Sequence, residues 1–366
     1  MRKYFTQLLK KNLLPFACLT LFCLIIYVLP ISVHSYDMWN NNYDNFIAQN
    51  GVGPYIDIYH GNISIALGIM CVFVPMFMFA YKMNKRSVDM HYSLPINKTK
   101  ILISHFLVGL ILTLGSYTIA YFLGFVAITI KVEHLHLINY LWLYLGSLIP
   151  AFVIYSITSF IYTRANTKSD GAISVIGTIC IFAAFVLMIS DFVSFCSRNN
   201  SSHGISADSF LPFVALSEVR TIFGELIKYG KSDYLWFSKP QNSVRFTIDL
   251  CALISSVLWT ILGITATFGL IFTEKKSKAE NCGQISESIF CYRIQIPIYT
   301  IMFVATALVV GDFYSFIVVV FAMYVLMAIY RRTFKIGSKY AIILGLSIAC
   351  GMILYAIPAI IINLIR

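Results

Sequence analysis

The sequence is poor in charged residues, and acidic residues are the scarcer kind. Only 12% of its 366 residues are Asp, Glu, Lys or Arg, whereas a soluble domain contains about 25%. Hydrophobic residues make up 59% of the chain, which is more than a soluble core can bury. Apolar runs of about 20 residues, the length of helix that crosses a bilayer, recur along the chain. These features exclude a soluble fold and predict an all-α polytopic membrane protein that is embedded in a lipid bilayer.

Patterns typical of metal, disulfide and nucleotide sites are missing as well. The nine cysteines lack the spacing of zinc ligands, and most lie in apolar runs, where a thiol acts as a small hydrophobe. The stretch GELIKYGKS, residues 224–232, has one residue too many between its glycines for a phosphate-binding loop. Ionisable residues deep inside the apolar runs, which would mark an ion pathway, are few. We therefore expect this chain to bind no metal, no cofactor and no nucleic acid.

The apolar runs predict about nine transmembrane helices, with a six-helix core in residues 13–273 and two or three further spans in residues 295–366. The runs are roughly 13–33, 62–81, 101–130, 136–163, 171–195, 246–273, 295–310, 313–330 and 340–363. The segments between and before them are an amphipathic stretch at 1–12, a loop at 82–100, a large loop at 196–245 and a further loop at 274–294.

Basic residues predict the orientation, because Lys and Arg are enriched on the cytoplasmic side of membrane spans. If the N-terminus is cytoplasmic, most of the 27 Lys and Arg residues lie on that side, including those of loops 82–100 and 274–294. The first outer segment, residues 35–61, contains neither Lys nor Arg. We therefore expect a cytoplasmic N-terminus, with loop 196–245 on the outer face.

One cytoplasmic loop has an unusual pattern, because VDMHYSLPINKTK, residues 88–100, is both charged and apolar. Pro95 disfavours helix at Leu94, and Asn97 is a suitable cap for a helix that begins near Lys98. Apolar side chains held at the membrane boundary either enter the lipid interface or dock in the groove of a partner. An ordinary basic loop would explain the charges but not the interspersed apolar residues, which are Met90, Tyr92, Leu94 and Ile96.

Two segments resemble a known family. Asp89, followed by SLPI and the basic NKTK directly before a long apolar run, resembles a loop of type 2 ABC transporter permeases of Gram-positive bacteria. A looser similarity lies in residues 272–299, which are similar to an R-K-x-E-x-A-G segment after the sixth span in one branch of that family. Asn281 and Cys282 replace the small residue of that segment, and comparable positions are taken by Lys275 or Lys276, Glu280 and Gly283.

The resemblance implies the membrane subunit of an ABC exporter in a bacterial cell membrane. Such a permease is not itself an enzyme: a separate cytoplasmic ATPase subunit binds ATP and Mg²⁺, and a second permease, identical or related, completes the complex. Residues 1–12 would form an elbow helix on the inner membrane surface. The cargo would be an amphipathic or peptide-like compound, as in antimicrobial peptide resistance. The loop that couples to the ATPase would consist of Asp89, Met90, Tyr92, Ser93, Leu94, Pro95 and Ile96.

An alternative reading is a polytopic membrane enzyme, such as a lipid-modifying transferase or a protease, that acts at the outer face. Its candidate residues have no recognisable catalytic spacing; they are Asp191, His203, Asp208, Glu218 and Asp312. A sensor or accessory subunit is a third reading. The two main hypotheses differ in where the functional surface lies, because the permease depends on loop 82–100 and the enzyme on loop 196–245.

Overall fold

The structure is a computed structural model, and it describes residues 2–33, 60–131, 137–197, 242–276, 282–284, 292–310, 313–331, 333–335 and 337–365. Most of loop 196–245 and most of the first outer segment lie outside these residues, as do Glu280 and Asp312. None of the described residues belongs to a β-strand, and nearly all are helical. The expected all-α class is confirmed for this part of the chain.

The helices begin and end close to the bounds of the apolar runs. They are α1 (Arg2–Lys11), α2 (Leu13–Val33), α3 (His60–Phe79), α4 (Lys85–Tyr92), α5 (Lys98–Lys131), α6 (Leu137–Tyr162), α7 (Lys168–Ser197), α8 (Asn242–Lys276), α9 (Ile294–Val310), α10 (Phe313–Arg331) and α11 (Ser338–Ile365). A 3₁₀ turn, Ala80–Met83, continues α3 toward α4.

Several of these helices are suited to a bilayer. Within the described residues, five helical segments are long and apolar enough to cross a membrane: Leu13–Val33, Ile63–Met83, Lys98–Lys131, Tyr144–Tyr162 and Ser256–Lys275. Three shorter apolar segments follow them: Ile294–Leu308, Phe316–Arg331 and Ser338–Leu354. Large apolar side chains on α2, α5, α8 and α11 are exposed, as expected for faces that contact lipid tails. The chain is a multi-pass membrane protein.

Helices α2, α3, α5 and α6 surround the larger hydrophobic core. Lipid tails provide no hydrophobic force that would drive helices together, so helices in a membrane associate through close packing. Small residues allow this close approach. A Cβ at Gly109 would lie 2.2 Å from the Tyr155 hydroxyl oxygen, so α5 and α6 pack too tightly for any side chain at this position. The Tyr155 hydroxyl donates to the Phe106 carbonyl at 3.1 Å, which satisfies its polar end inside the bundle.

Helix α9 joins the last three helices to α7 through side-chain hydrogen bonds. Gln295 of α9 donates to the Ser174 carbonyl and to the Thr178 hydroxyl, both at 2.9 Å. The Tyr299 hydroxyl donates to the Gly177 carbonyl at 2.6 Å. Helices α10 and α11 then pack on α9. These hydrogen bonds in an apolar setting make α9, and with it α10 and α11, part of the bundle.

A second hydrophobic core lies at one end of the bundle. We name this end of the bundle the basic end. It gathers the ends of many helices, and it includes Phe79, Met83, Leu102, Tyr162, Val175, Leu270, Tyr292 and Met327. The same end carries α4, the turn after α6 and residues 282–284. This core is the support on which the candidate site is built.

Candidate functional site

Helix α4 is short, with one buried face and one exposed face. Its inward face includes Val88, which is 3% exposed, whereas Arg86, Asp89 and Met90 on the opposite face are exposed. The helix ends at Tyr92, where the Ser93 N–H donates to the Asp89 carbonyl at 3.0 Å. Such a helix is too short to be stable by itself, so its inward contacts hold it in place.

Aromatic rings line the inward side of α4. The His91 ring lies 4.7 Å from the Tyr81 ring, which in turn stacks at 4.2 Å on His105 of α5. His91 Nδ1 lies 2.7 Å from the Ser87 carbonyl oxygen. These stacked rings fix the rotation of α4 against the end of α3 and the start of α5.

Helix α1 closes this cluster on one side. Its apolar residues Phe5, Leu8 and Leu9 pack against the larger core, while Lys3 and Lys10 are exposed. The Tyr4 ring lies 6.0 Å from the His105 ring, and burial raises the pKa of Tyr4 to about 12. Residues 2–11 thus form an amphipathic helix whose apolar face lies on the protein.

An ion pair buried beneath α4 joins it to the end of α8. The Lys82 ammonium contacts Glu274 Oε2, and their side chains are 9% and 0% exposed. The Tyr92 hydroxyl donates to Glu274 Oε1 at 3.1 Å. The positive charges of Arg164 and Lys98 act on Lys82 from nearby. One carboxylate therefore accepts hydrogen bonds from both flanks of α4, within a cluster of cations.

Residues 282–284 form a turn against the other side of α4. Gly283 has φ +82°, a backbone conformation that favours glycine, and its N–H donates to the Asn166 carbonyl at 2.9 Å. A Cβ at Gly283 would lie 3.7 Å from Lys85 Cε. Burial raises the pKa of the Cys282 thiol; the nearby Lys85 opposes this shift and Asp89 adds to it. The two loops that the sequence singles out therefore meet beside α4.

The outward face of this assembly is an apolar patch with a charged border, which we name the α4 surface. It consists of Arg86, Asp89, Met90, Ser93, Leu94 and Pro95. Met90 is 59% exposed and Leu94 is 37% exposed. Lys85, Lys98 and Lys100 are also exposed around it, and Lys98 Nζ lies 4.6 Å from the centre of the Tyr92 ring.

No protein-family model, curated protein or solved structure matches the chain. Among the residues that the structure describes, no three His, Cys, Asp or Glu side chains come together as metal ligands. The basic end instead presents a firmly held apolar patch framed by cations, an arrangement suited to protein contact.

The structure brings together most residues of the two predicted loops. Within loop 82–100, Asp89, Met90, Ser93, Leu94 and Pro95 are exposed, whereas Tyr92 turns inward to Glu274 and Ile96 is half-buried. As predicted, α5 begins at Lys98, and Asn97 Oδ1 accepts the Thr99 N–H at 3.3 Å. In the second loop Gly283 contacts α4, and Lys275 is exposed at the end of α8 beside the Phe272 ring. Lys276 ends α8, but its side chain lies outside the described part.

Sequence reasoning missed the buried connection between these loops. It placed Lys82 among the loop charges and gave no role to Glu274. The available signal was an acidic residue at the end of an otherwise apolar run, TFGLIFTE, which is costly in a membrane protein unless it is paired. That signal indicates a partner without saying which of the many basic residues it is.

Proposed function

We propose that this chain is the permease subunit of an ATP-driven ABC exporter in a bacterial cell membrane. It spans the membrane nine times with its N-terminus and the basic end in the cytoplasm. A separate ATPase subunit binds ATP and Mg²⁺, and a second permease completes the transport path. The cargo is an amphipathic or peptide-like compound, such as an antimicrobial peptide.

The α4 surface is the observation that carries this proposal. Apolar area in contact with water costs about 25 cal/mol per Å², so an exposed patch centred on Met90 and Leu94 favours a covering partner. A segment that merely dips into lipid needs no fixed orientation. Here α4 is held by stacked rings on one side and by a buried ion pair on the other.

The chemistry of the surface indicates the shape and charge of its partner. A helix with an apolar ridge fits a hydrophobic groove, as in other helix-in-groove complexes. The exposed cations around the ridge, Lys85, Arg86, Lys98 and Lys100, favour a groove with an acidic rim. We expect this groove on the cytoplasmic ATPase subunit.

Site-specific photocrosslinking in native membranes tests the proposal. A benzoylphenylalanine residue placed at Leu94 should crosslink to a protein with the phosphate-binding loop of an ABC ATPase. The matched control places the same group at Phe77, an α3 residue that is 60% exposed on the apolar face of the bundle and should label no ATPase. Crosslinks from position 94 to lipid alone, or to proteins that lack a nucleotide-binding motif, would rule out the proposed coupling role.

A further inference from the structure

The buried carboxylate of Glu274 binds one residue just before α4 and one at its end. Lys82 lies on the 3₁₀ turn just before α4, and Tyr92 is the last residue of α4. Both hold Glu274, although 192 and 182 residues separate them from it along the chain. The turn that leads into α4 and the last residue of α4 are therefore attached to the same carboxylate of α8.

A two-point attachment has a different effect from a single contact. One hydrogen bond would let α4 pivot about it, whereas bonds at both ends fix its position and its rotation relative to Glu274. The bonds are strong because Glu274 is fully buried, so charge-assisted hydrogen bonds act there with little screening by water. Release of either end would leave a buried charge with fewer partners, which is unfavourable.

We infer that α4 and the adjoining end of α8 form one rigid unit, joined by Lys82, Tyr92 and Glu274. Chain continuity already connects α4 to α3 and α5; the carboxylate adds α8, which is remote in sequence. Helix α8 packs along α6 and α5 through the bundle. A displacement of α4 is therefore transmitted to α8 and from there to the interface with α6. That a partner supplies this displacement rests on the proposed function; the rigid unit itself does not.

Hydrogen exchange of the isolated full-length chain in nanodiscs tests the rigid unit without any partner. The Tyr92→Phe variant removes one hydrogen bond to a charged group and retains the ion pair. We expect exchange to rise about tenfold both in residues 85–92 and in the last two turns of α8. Hydrogen bonds to charged groups contribute more to stability than hydrogen bonds between neutral groups. The Lys275→Gln variant, which alters an exposed residue next to Glu274, should leave both segments unchanged.

A second variant, Glu274→Gln, removes the charge that Lys82 and Tyr92 share. It should raise exchange in the same two segments further, while the centre of α5 stays protected. If exchange rises along the whole chain, the Glu274→Gln variant has unfolded. The Tyr92→Phe result then decides whether the rigid unit exists. Faster exchange in only one of the two segments, or in neither, would overturn the inference.

A further arm separates this inference from the proposed function. In a complex with the ATPase subunit, addition of ATP and vanadate should change exchange in α4 and in the end of α8 together. The change at α8 should be lost in Tyr92→Phe. If the wild-type complex does not form, the proposed function fails, and the isolated-chain experiment still decides whether the rigid unit exists.

Discussion

Removal of the Glu274 charge should destabilise the protein more than removal of its partner Lys82 does. In Glu274→Gln the Lys82 ammonium stays in place with only 9% of its side chain exposed, and Arg164 and Lys98 add positive charge nearby. Breaking a buried pair in this way typically costs 3–5 kcal/mol, which is about a third of the stability of an ordinary domain. We expect Glu274→Gln to lose about 3 kcal/mol, since its amide oxygen still accepts a hydrogen bond.

The reverse change should be milder. Lys82→Met leaves Glu274 with the Tyr92 hydroxyl, and the positive charges of Arg164 and Lys98, which act on the position of Lys82, remain nearby, so we expect a loss of about 1–2 kcal/mol. The double variant Lys82→Met/Glu274→Leu removes both charges and fills a similar volume. Such replacements are often neutral or stabilising, so it should recover most of the stability that Glu274→Gln loses.

Equilibrium unfolding in mixed micelles would measure these changes, with Trp259 as the reporter. Its indole is buried in α8, 4.8 Å from the Phe182 ring, so its fluorescence will follow the opening of the bundle. A Glu274→Gln variant within about 1 kcal/mol of wild type would refute the argument that burial makes this pair strong. A double variant no more stable than Glu274→Gln would refute the argument that an unpaired Lys82 charge causes the loss.

Three further changes test the packing and the electrostatics of the bundle. Gly124→Ala would place a Cβ 2.0 Å from Tyr27 Cε1 and should cost about 1–3 kcal/mol in unfolding measurements, a loss that Tyr27→Leu relieves. Gly283→Ala forces a side chain to φ +82° and should cost about 1–2 kcal/mol, whereas Gly345→Ala, with open space around it, should cost nothing. Because burial raises the pKa of Tyr4 to about 12, the stability of the folded state should fall as pH rises from about 10 to about 12, since the unfolded phenol ionises first. Wild type should therefore lose more stability than Tyr4→Phe over that range in pH-dependent unfolding; equal losses would contradict this assignment.

The positions of the helices could be predicted from local features. The apolar run 13–33 coincides with α2 (Leu13–Val33), because a span of that length and composition has few alternatives in a membrane. The break before α5 was predicted as well, since Pro95 prevents helix at Leu94 and the Asn97 side chain caps the next helix. Both features depend only on neighbours along the chain.

The connections between helices could not be predicted in the same way. Glu274 and Lys82 are 192 residues apart, and many other basic residues lie near the same end of the bundle. The attachment of α9 to α7 depends on Gln295 and Tyr299, which in a sequence look like ordinary interfacial residues. Such contacts are selected by the packing of whole helices, so a single sequence does not specify them.

Co-purification in mild detergent from the native membrane is the most direct test of the central claim. The wild-type chain should bring down an ABC ATPase subunit and vanadate-sensitive ATP hydrolysis. Leu94→Asp should lose both, whereas Phe334→Asp, which adds the same charge at an apolar residue that is 79% exposed at the basic end, should retain them. If wild type binds no ATPase, or if Leu94→Asp binds it as well as Phe334→Asp does, the α4 surface is not the site of coupling.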